Sequence, residues 1–156
     1  MGFLDKLKGF GKKAAFGAIL ASTHKYGTVS EGKHKACQVA VDAHGEKLLF
    51  VMVAKLNAQY EIREEIASAD FRRVGNSEHL YWLTLTFKDG QTSKISLQEE
   101  TQVGSALPTA EERVAAHYSN MATFLAHIAK KVEVTPSGLE LINLIMRYAN
   151  KPEIVK

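Results

Sequence analysis

The sequence predicts an α+β fold: a bent antiparallel β-sandwich or partial barrel of about seven strands, closed by one long helix, with an extra helix at each terminus. Three observations lead there. Tyr81, Leu83, Leu85 and Phe87 alternate with Trp82, Thr84, Thr86 and Lys88, the period of two expected of a strand with one buried face. Asp89-Gly90 supplies the positive φ angles of a tight hairpin turn, and Thr92 to Leu97 returns with Ile95 and Leu97 in phase. Beyond a polar loop the period changes. Val114, Tyr118, Met121, Leu125, Ile128 and Val132 recur at spacings of four and three, which makes one apolar stripe along a helix.

The earlier elements follow the same logic. Tyr26 to Ser30 is read as a first strand. Lys35 to Asp42 alternates Cys37, Val39 and Val41 against Gln38, Ala40 and Asp42, then turns at Ala43 to Glu46. Lys47 to Lys55 is nearly continuously apolar and suits a central strand covered on both faces. Gln59 to Ile66 and Asp70 to Val74 complete the set before the turn at Gly75-Asn76. The connections are hairpin-length, too short for parallel crossovers. Thr109 with Glu112 forms a capping box behind Pro108 and opens the long helix, expected from about Thr109 to Lys131. Leu125 should be buried in mid-stripe. Trp82, out of phase with the core series, should lie on the opposite face under a terminal helix or a partner.

Length and composition limit the function classes. With 156 residues, 46% hydrophobic and 24% charged, the chain is expected to hold one core in residues 26–131, flanked by extensions at 1–23 and 132–156. Cys37 is the sole cysteine, so no internal disulfide and no cysteine cluster for zinc can form, and a small buried side chain is its expected role. The net charge of +3 is unevenly placed. Lys6, Lys8, Lys12, Lys13 and Lys25 face only Asp5 in residues 1–26, whereas the remainder holds the other 15 basic and 16 acidic groups. A nucleic-acid-binding body would spread its cations over the folded part, so nucleic acid is not an expected partner.

The N-terminal segment gathers Phe3, Leu4, Leu7, Phe10, Ala14 and Ala18 on one side of a helical wheel, with Asp5, Lys6, Lys12 and Lys13 around the other. Such a basic amphipathic helix can lie on an anionic membrane, its apolar side chains in the acyl boundary and its lysines, Lys8 included, at the headgroups. It can equally cover a groove of its own domain or of a neighbouring subunit. Gly2, Gly9, Gly11 and Gly17 weaken it in isolation by roughly 1 kcal/mol each at interior positions, so it needs a surface to form on. The apolar stretch Ala14 to Ala21 is short and rich in Ala and Gly, which argues against a secretory leader. No run approaches the roughly 20 apolar residues of a membrane span.

Glu61-Ile-Arg-Glu-Glu-Ile-Ala-Ser-Ala-Asp-Phe-Arg-Arg-Val74, then Leu80-Tyr-Trp-Leu-Thr-Leu-Thr-Phe-Lys-Asp-Gly90 and a capping helix, resembles bacterial pleckstrin-homology-like and GRAM-like domains over roughly residues 26–131. The resemblance implies a strongly bent antiparallel sheet pair plugged by the helix. It also implies a module that binds lipids, peptides or proteins, or that assembles, rather than an enzyme. Phosphoinositide-binding members carry a basic early loop. Its nearest equivalents here are Lys25, Lys33 and Lys35 with His34, interrupted by Glu31 and lacking arginine, so an anion contact there is expected to be weak.

No catalytic constellation accompanies these elements. None of the six histidines is paired at the i, i+4 spacing of two metal ligands, and His117 and His127, ten residues apart, stand about 15 Å apart along their helix. There is no Ser-His-Asp arrangement, glycine-rich phosphate loop or dinucleotide fingerprint. No cofactor or metal is expected. In the C-terminal extension Thr135-Pro136 caps a helix whose Leu139, Leu141, Ile142, Leu144, Ile145, Met146 and Tyr148 point almost all round. It needs a second surface besides the β-domain, so Leu141, Leu144 and Tyr148 are candidate contacts of a homo-oligomer. The expectation is a non-enzymatic, cytoplasmic and membrane-peripheral binding module that docks on an anionic membrane or a protein partner through its terminal helices. The alternative is a self-assembling structural protein.

Overall fold

The computed structural model describes residues 23–77, 79–100 and 106–156. Seven strands run β1 (Gly27–Gly32), β2 (Gln38–Val41), β3 (Lys47–Met52), β4 (Lys55–Glu61), β5 (Ile66–Arg73), β6 (Leu80–Phe87) and β7 (Thr92–Gln98), with a single helical turn, α1 (Ile62–Glu65), between β4 and β5. Then come α2 (Ala110–Ala129), a two-residue strand β8 (Glu133–Val134) and α3 (Pro136–Tyr148). The eight described strands belong to one sheet in the order β4-β3-β2-β1-β7-β6-β5-β8. The expected seven antiparallel strands are therefore eight in a mixed sheet. Ser68 and Ala69 of β5 pair in parallel with Glu133 and Val134 of β8. A two-residue strand has no period of its own to read, which is why the pattern of apolar residues does not announce it.

The sheet curls into a half-barrel, and two rings measure the curl. β4 and β6 are five places apart in the strand order, about 24 Å in a flat sheet at ~4.8 Å per strand. Tyr60 and Phe87 nevertheless touch, their ring centroids 4.6 Å apart and the planes tilted by 48°. Register shifts between Val29 and Glu31, Phe50 and Val51, and Ile66 and Ser68 supply local twist at three places. α1 closes the gap from β4 to β5. Ile62 at its start is fully buried, and its backbone N–H donates to the Glu46 carbonyl at 2.9 Å.

The core lies inside this curl. Val39, Leu48, Phe50, Phe71, Tyr81, Leu83, Leu85, Ile95 and Leu97 meet Tyr118, Met121, Phe124, Leu125 and Ile128 of α2, each of them at most 7% exposed. Thr109 caps α2 as expected, its hydroxyl accepting from the Glu112 N–H at 3.1 Å. The stripe departs from expectation only at its start, where Val114 is 40% exposed and lines a groove with Tyr148. Cys37 is fully buried, and Trp82 sits half-buried on the far face with the Lys94 ammonium 4.6 Å above its ring.

α3 finds its second surface within the chain, packing on both α2 and β5. Gly138 makes this approach work. A Cβ at that position would stand 2.6 Å from the Thr135 hydroxyl and 3.0 Å from the Phe71 backbone nitrogen. Ile142, Ile145 and Met146 then enter the main core, and Asn143 holds the C-terminal tail by exchanging hydrogen bonds with the Ile154 backbone at 2.7 and 3.1 Å. Among the described residues no helix is long and apolar enough to cross a membrane.

Candidate docking surfaces

The expected N-terminal docking residues Phe3, Leu4, Lys6, Leu7, Lys8, Phe10, Lys12 and Lys13 lie outside the described residues. The three candidate anion contacts are described, and the fold separates them. Lys25 precedes β1, while Lys33 and Lys35 follow it, so the six residues of β1 stand between them, about 20 Å at ~3.3 Å per residue. They cannot converge on one phosphate. Lys33 is also engaged. Its ammonium pairs with Asp89 at 2.9 Å and lies 5.1 and 5.0 Å over the rings of Tyr60 and Phe87. The hydrogen bond with Asp89 raises the Lys33 pKa and holds the Asp89 carboxyl below the usual carboxylate range. Of the three, only Lys35 is exposed.

Lys35 belongs to a cluster of turns at the end of the half-barrel away from α2. Gln38 pairs with Val51 and Gly32 with Ser93, which brings the β1–β2, β3–β4 and β6–β7 connections to one end. Beneath them His34, Phe50, Tyr60 and Phe87 form an aromatic floor, with His34 Nε2 2.6 Å from the Tyr60 hydroxyl. Burial, and then the Lys33 charge, lowers the His34 pKa, so the imidazole is neutral at pH 7.

The β3–β4 connection is the unexpected part. Met52 pairs with Lys55, which leaves a two-residue turn of Val53 and Ala54, both with positive φ, 49° and 60°. Positive φ at both central positions is the mark of the turn that hairpins favour, and it normally calls for Asn-Gly. A β-branched residue there is a steric outlier. Val53 is 88% exposed and Met52 42%, with Lys55 exposed beside them. The sequence, with no turn residue here, reads as one strand through Lys55 and a next strand from Gln59, whereas the chain reverses at Val53-Ala54 and β4 begins at Lys55.

The second surface lies on the helices. Leu141 and Leu144 are half-buried and Tyr148 is 37% exposed, its ring 5.1 Å from that of Tyr118. Tyr148 and Arg147 form one wall of a groove of about 710 Å³, and Val114 and Ala115 form the other. Leu141 and Leu144 instead line a neighbouring hollow of about 550 Å³. The three residues thus share one helix but flank two depressions.

Between helices and sheet runs a polar seam. Glu99, buried to 8% exposure, pairs with His79, and it faces the Tyr118 hydroxyl, which in turn meets Tyr81. Burial, then hydrogen bonding to Glu99 and Tyr81, drives the Tyr118 pKa far above the ordinary phenol value. A phenol held this firmly protonated ties α2 to Tyr81 of β6 and to Glu99 just beyond β7 and does not ionise near neutral pH. His127 is likewise structural, packed against the Gly45 turn with its pKa lowered by burial and by Lys131 and Lys130. No three His, Cys, Asp or Glu side chains gather into a metal-binding group among the described residues. A scan against protein-family models matches none of them, and no curated protein is significantly similar to the chain.

Proposed function

We propose that this chain is a non-enzymatic binding module of the pleckstrin-homology-like kind, peripheral to a membrane on its cytoplasmic side, that docks on anionic lipid. The basic amphipathic segment with Phe3, Leu4, Leu7 and Phe10 is its principal contact. The observation that carries the reading is the Met52–Val53 turn. An exposed valine kept at a sterically unfavourable φ, flanked by Lys55 and near Lys35, has the composition of a tip that enters the headgroup region. Apolar side chains supply affinity there and the lysines act through the screened surface potential.

Co-sedimentation of the full chain with phosphatidylserine-containing vesicles tests the reading. Binding should weaken as salt rises, and Leu7→Ser with Phe10→Ser should abolish it. Binding that is insensitive to both, or no binding to anionic vesicles at low salt, refutes it. A second reading, self-assembly through α3, is favoured by the exposure of Tyr148 and Val114 along one groove. It requires a solution mass of a dimer or more without lipid, reduced to the monomer by Tyr148→Glu.

A further inference from the structure

The face of β2, β3 and β4 that points away from the core ought to be wet, because among the described residues the apolar side chains of α1, α2 and α3 enter the core on the other side. It is dry. Ala40 is 0% exposed, Val51 1% and Leu49 5%. Val39, Val41, Leu48 and Phe50 belong to the main core, so strand alternation turns Ala40, Leu49 and Val51 to the opposite face, where they form a separate cluster joined only by Leu56 among the described apolar residues. Register sets them side by side: Ala40 opposite Leu49, and Val51 opposite Leu56. Neighbours standing on one sheet face shield each other's flanks but not their tops. Something must lie over them.

We propose that the cover is the chain's own N-terminal segment, seated in cis with Phe3, Leu4, Leu7 and Phe10 on Ala40, Leu49, Val51 and Leu56. Three adjacent strands present a strip about 10 Å across, close to the 10–12 Å diameter of one helix with its side chains. The tether fits as well. The Tyr26 N–H donates to the Val39 carbonyl at 2.9 Å, so the chain enters the sheet directly beside Ala40. The 16 residues from Phe10 to Tyr26 span about 24 Å even when wholly helical, and a tether of this length keeps the segment at an effective concentration that a separate partner would have to reach in the millimolar range. Seated this way, the segment turns its lysines to solvent next to the Met52–Val53 turn, since Val51 and Leu56 immediately flank that turn. The stripe cannot cover this face and enter a bilayer at once, so any docking on lipid begins with its release. The inference rests on the burial of the outer cluster and does not depend on the membrane reading.

Thiol labelling of the full chain tests it. Leu49→Cys places a reporter in the strip, and Cys37, fully buried in the core, reports global unfolding in the same molecule. The thiol at position 49 should label at least tenfold more slowly than in the same chain carrying Leu7→Ser and Phe10→Ser, over a hundredfold range of protein concentration, while Cys37 stays slow in both. Leu56→Cys, at a half-buried site, gives the same reading should Leu49→Cys fail to fold. Labelling unaffected by the serine substitutions, protection that grows with protein concentration, or equal acceleration of Cys37 would each overturn the proposal. Phosphatidylserine vesicles then separate the two ideas: if they leave a Leu7- and Phe10-dependent protection unchanged, the seat stands and the membrane reading falls.

Discussion

Replacing Val53-Ala54 by Asn-Gly should make the protein more stable and a poorer membrane binder. Both residues hold positive φ in a two-residue hairpin turn. An L-residue with a Cβ gives up roughly 1–2 kcal/mol in that region, whereas glycine gives up nothing and asparagine little. Relief at both positions is therefore about 2–4 kcal/mol. Against it, a glycine in place of Ala54 adds freedom to the unfolded chain worth roughly 0.5–1 kcal/mol. The net gain is about 1–3 kcal/mol, which in a domain of this size raises Tm by about 2–12 °C, at ~2–4 °C per kcal/mol. No packing is lost in return, since Val53 is 88% exposed. On a bilayer the sign reverses. A valine withdrawn from water contributes at least about 1.5 kcal/mol, so vesicle affinity should fall roughly tenfold. Scanning calorimetry and vesicle titration of the double variant read the two effects separately. A Tm that stays put or drops refutes the strain argument. A raised Tm with unchanged vesicle affinity means that the turn does not touch the membrane.

Leu125, fully buried in mid-stripe between α2 and the sheet, should be far less forgiving: Leu125→Ala should remove about 2–5 kcal/mol, seen as a lower urea midpoint at unchanged slope, and a loss below 1 kcal/mol would contradict the packing described. Stability should also fall as the pH drops from about 7 towards 5. Burial and the Lys131 and Lys130 charges lower the His127 pKa, with Asp42 opposing them, and burial and Lys33 lower that of His34. In that window the unfolded chain binds protons that the folded one refuses, so the contribution is complete above the unfolded value of about 6.5 and is lost on acidification through the folded value. His127→Gln should flatten the pH dependence of Tm between 7 and 5, and an unchanged slope would show that His127 is not its source.

What the sequence determined by itself is what neighbouring residues decide among themselves. The alternation of β6, the Asp89-Gly90 turn with Gly90 at φ 88°, the Thr109 cap and the Thr135-Pro136 start of α3 are local events, legible in a few residues and present in the structure close to where they were expected. Other features came from contacts distant in the chain. The Val53-Ala54 turn is imposed by the pairing of β3 with β4 against the residues' own preference, and the pairing of the flanking strands outweighs a strain that local chemistry would have avoided. β8 exists because β5 offers it an edge, and α1 because the curled sheet must be crossed between β4 and β5. Lys33, grouped in sequence with Lys25 and Lys35 as an anion contact, is claimed by Asp89, 56 residues away. The dryness of Ala40, Leu49 and Val51 has the same character. Alternation in β2 and β3 shows that these side chains share a face, but a sheet has two faces, and which segment covers the second is settled by the free energy of the whole assembled chain.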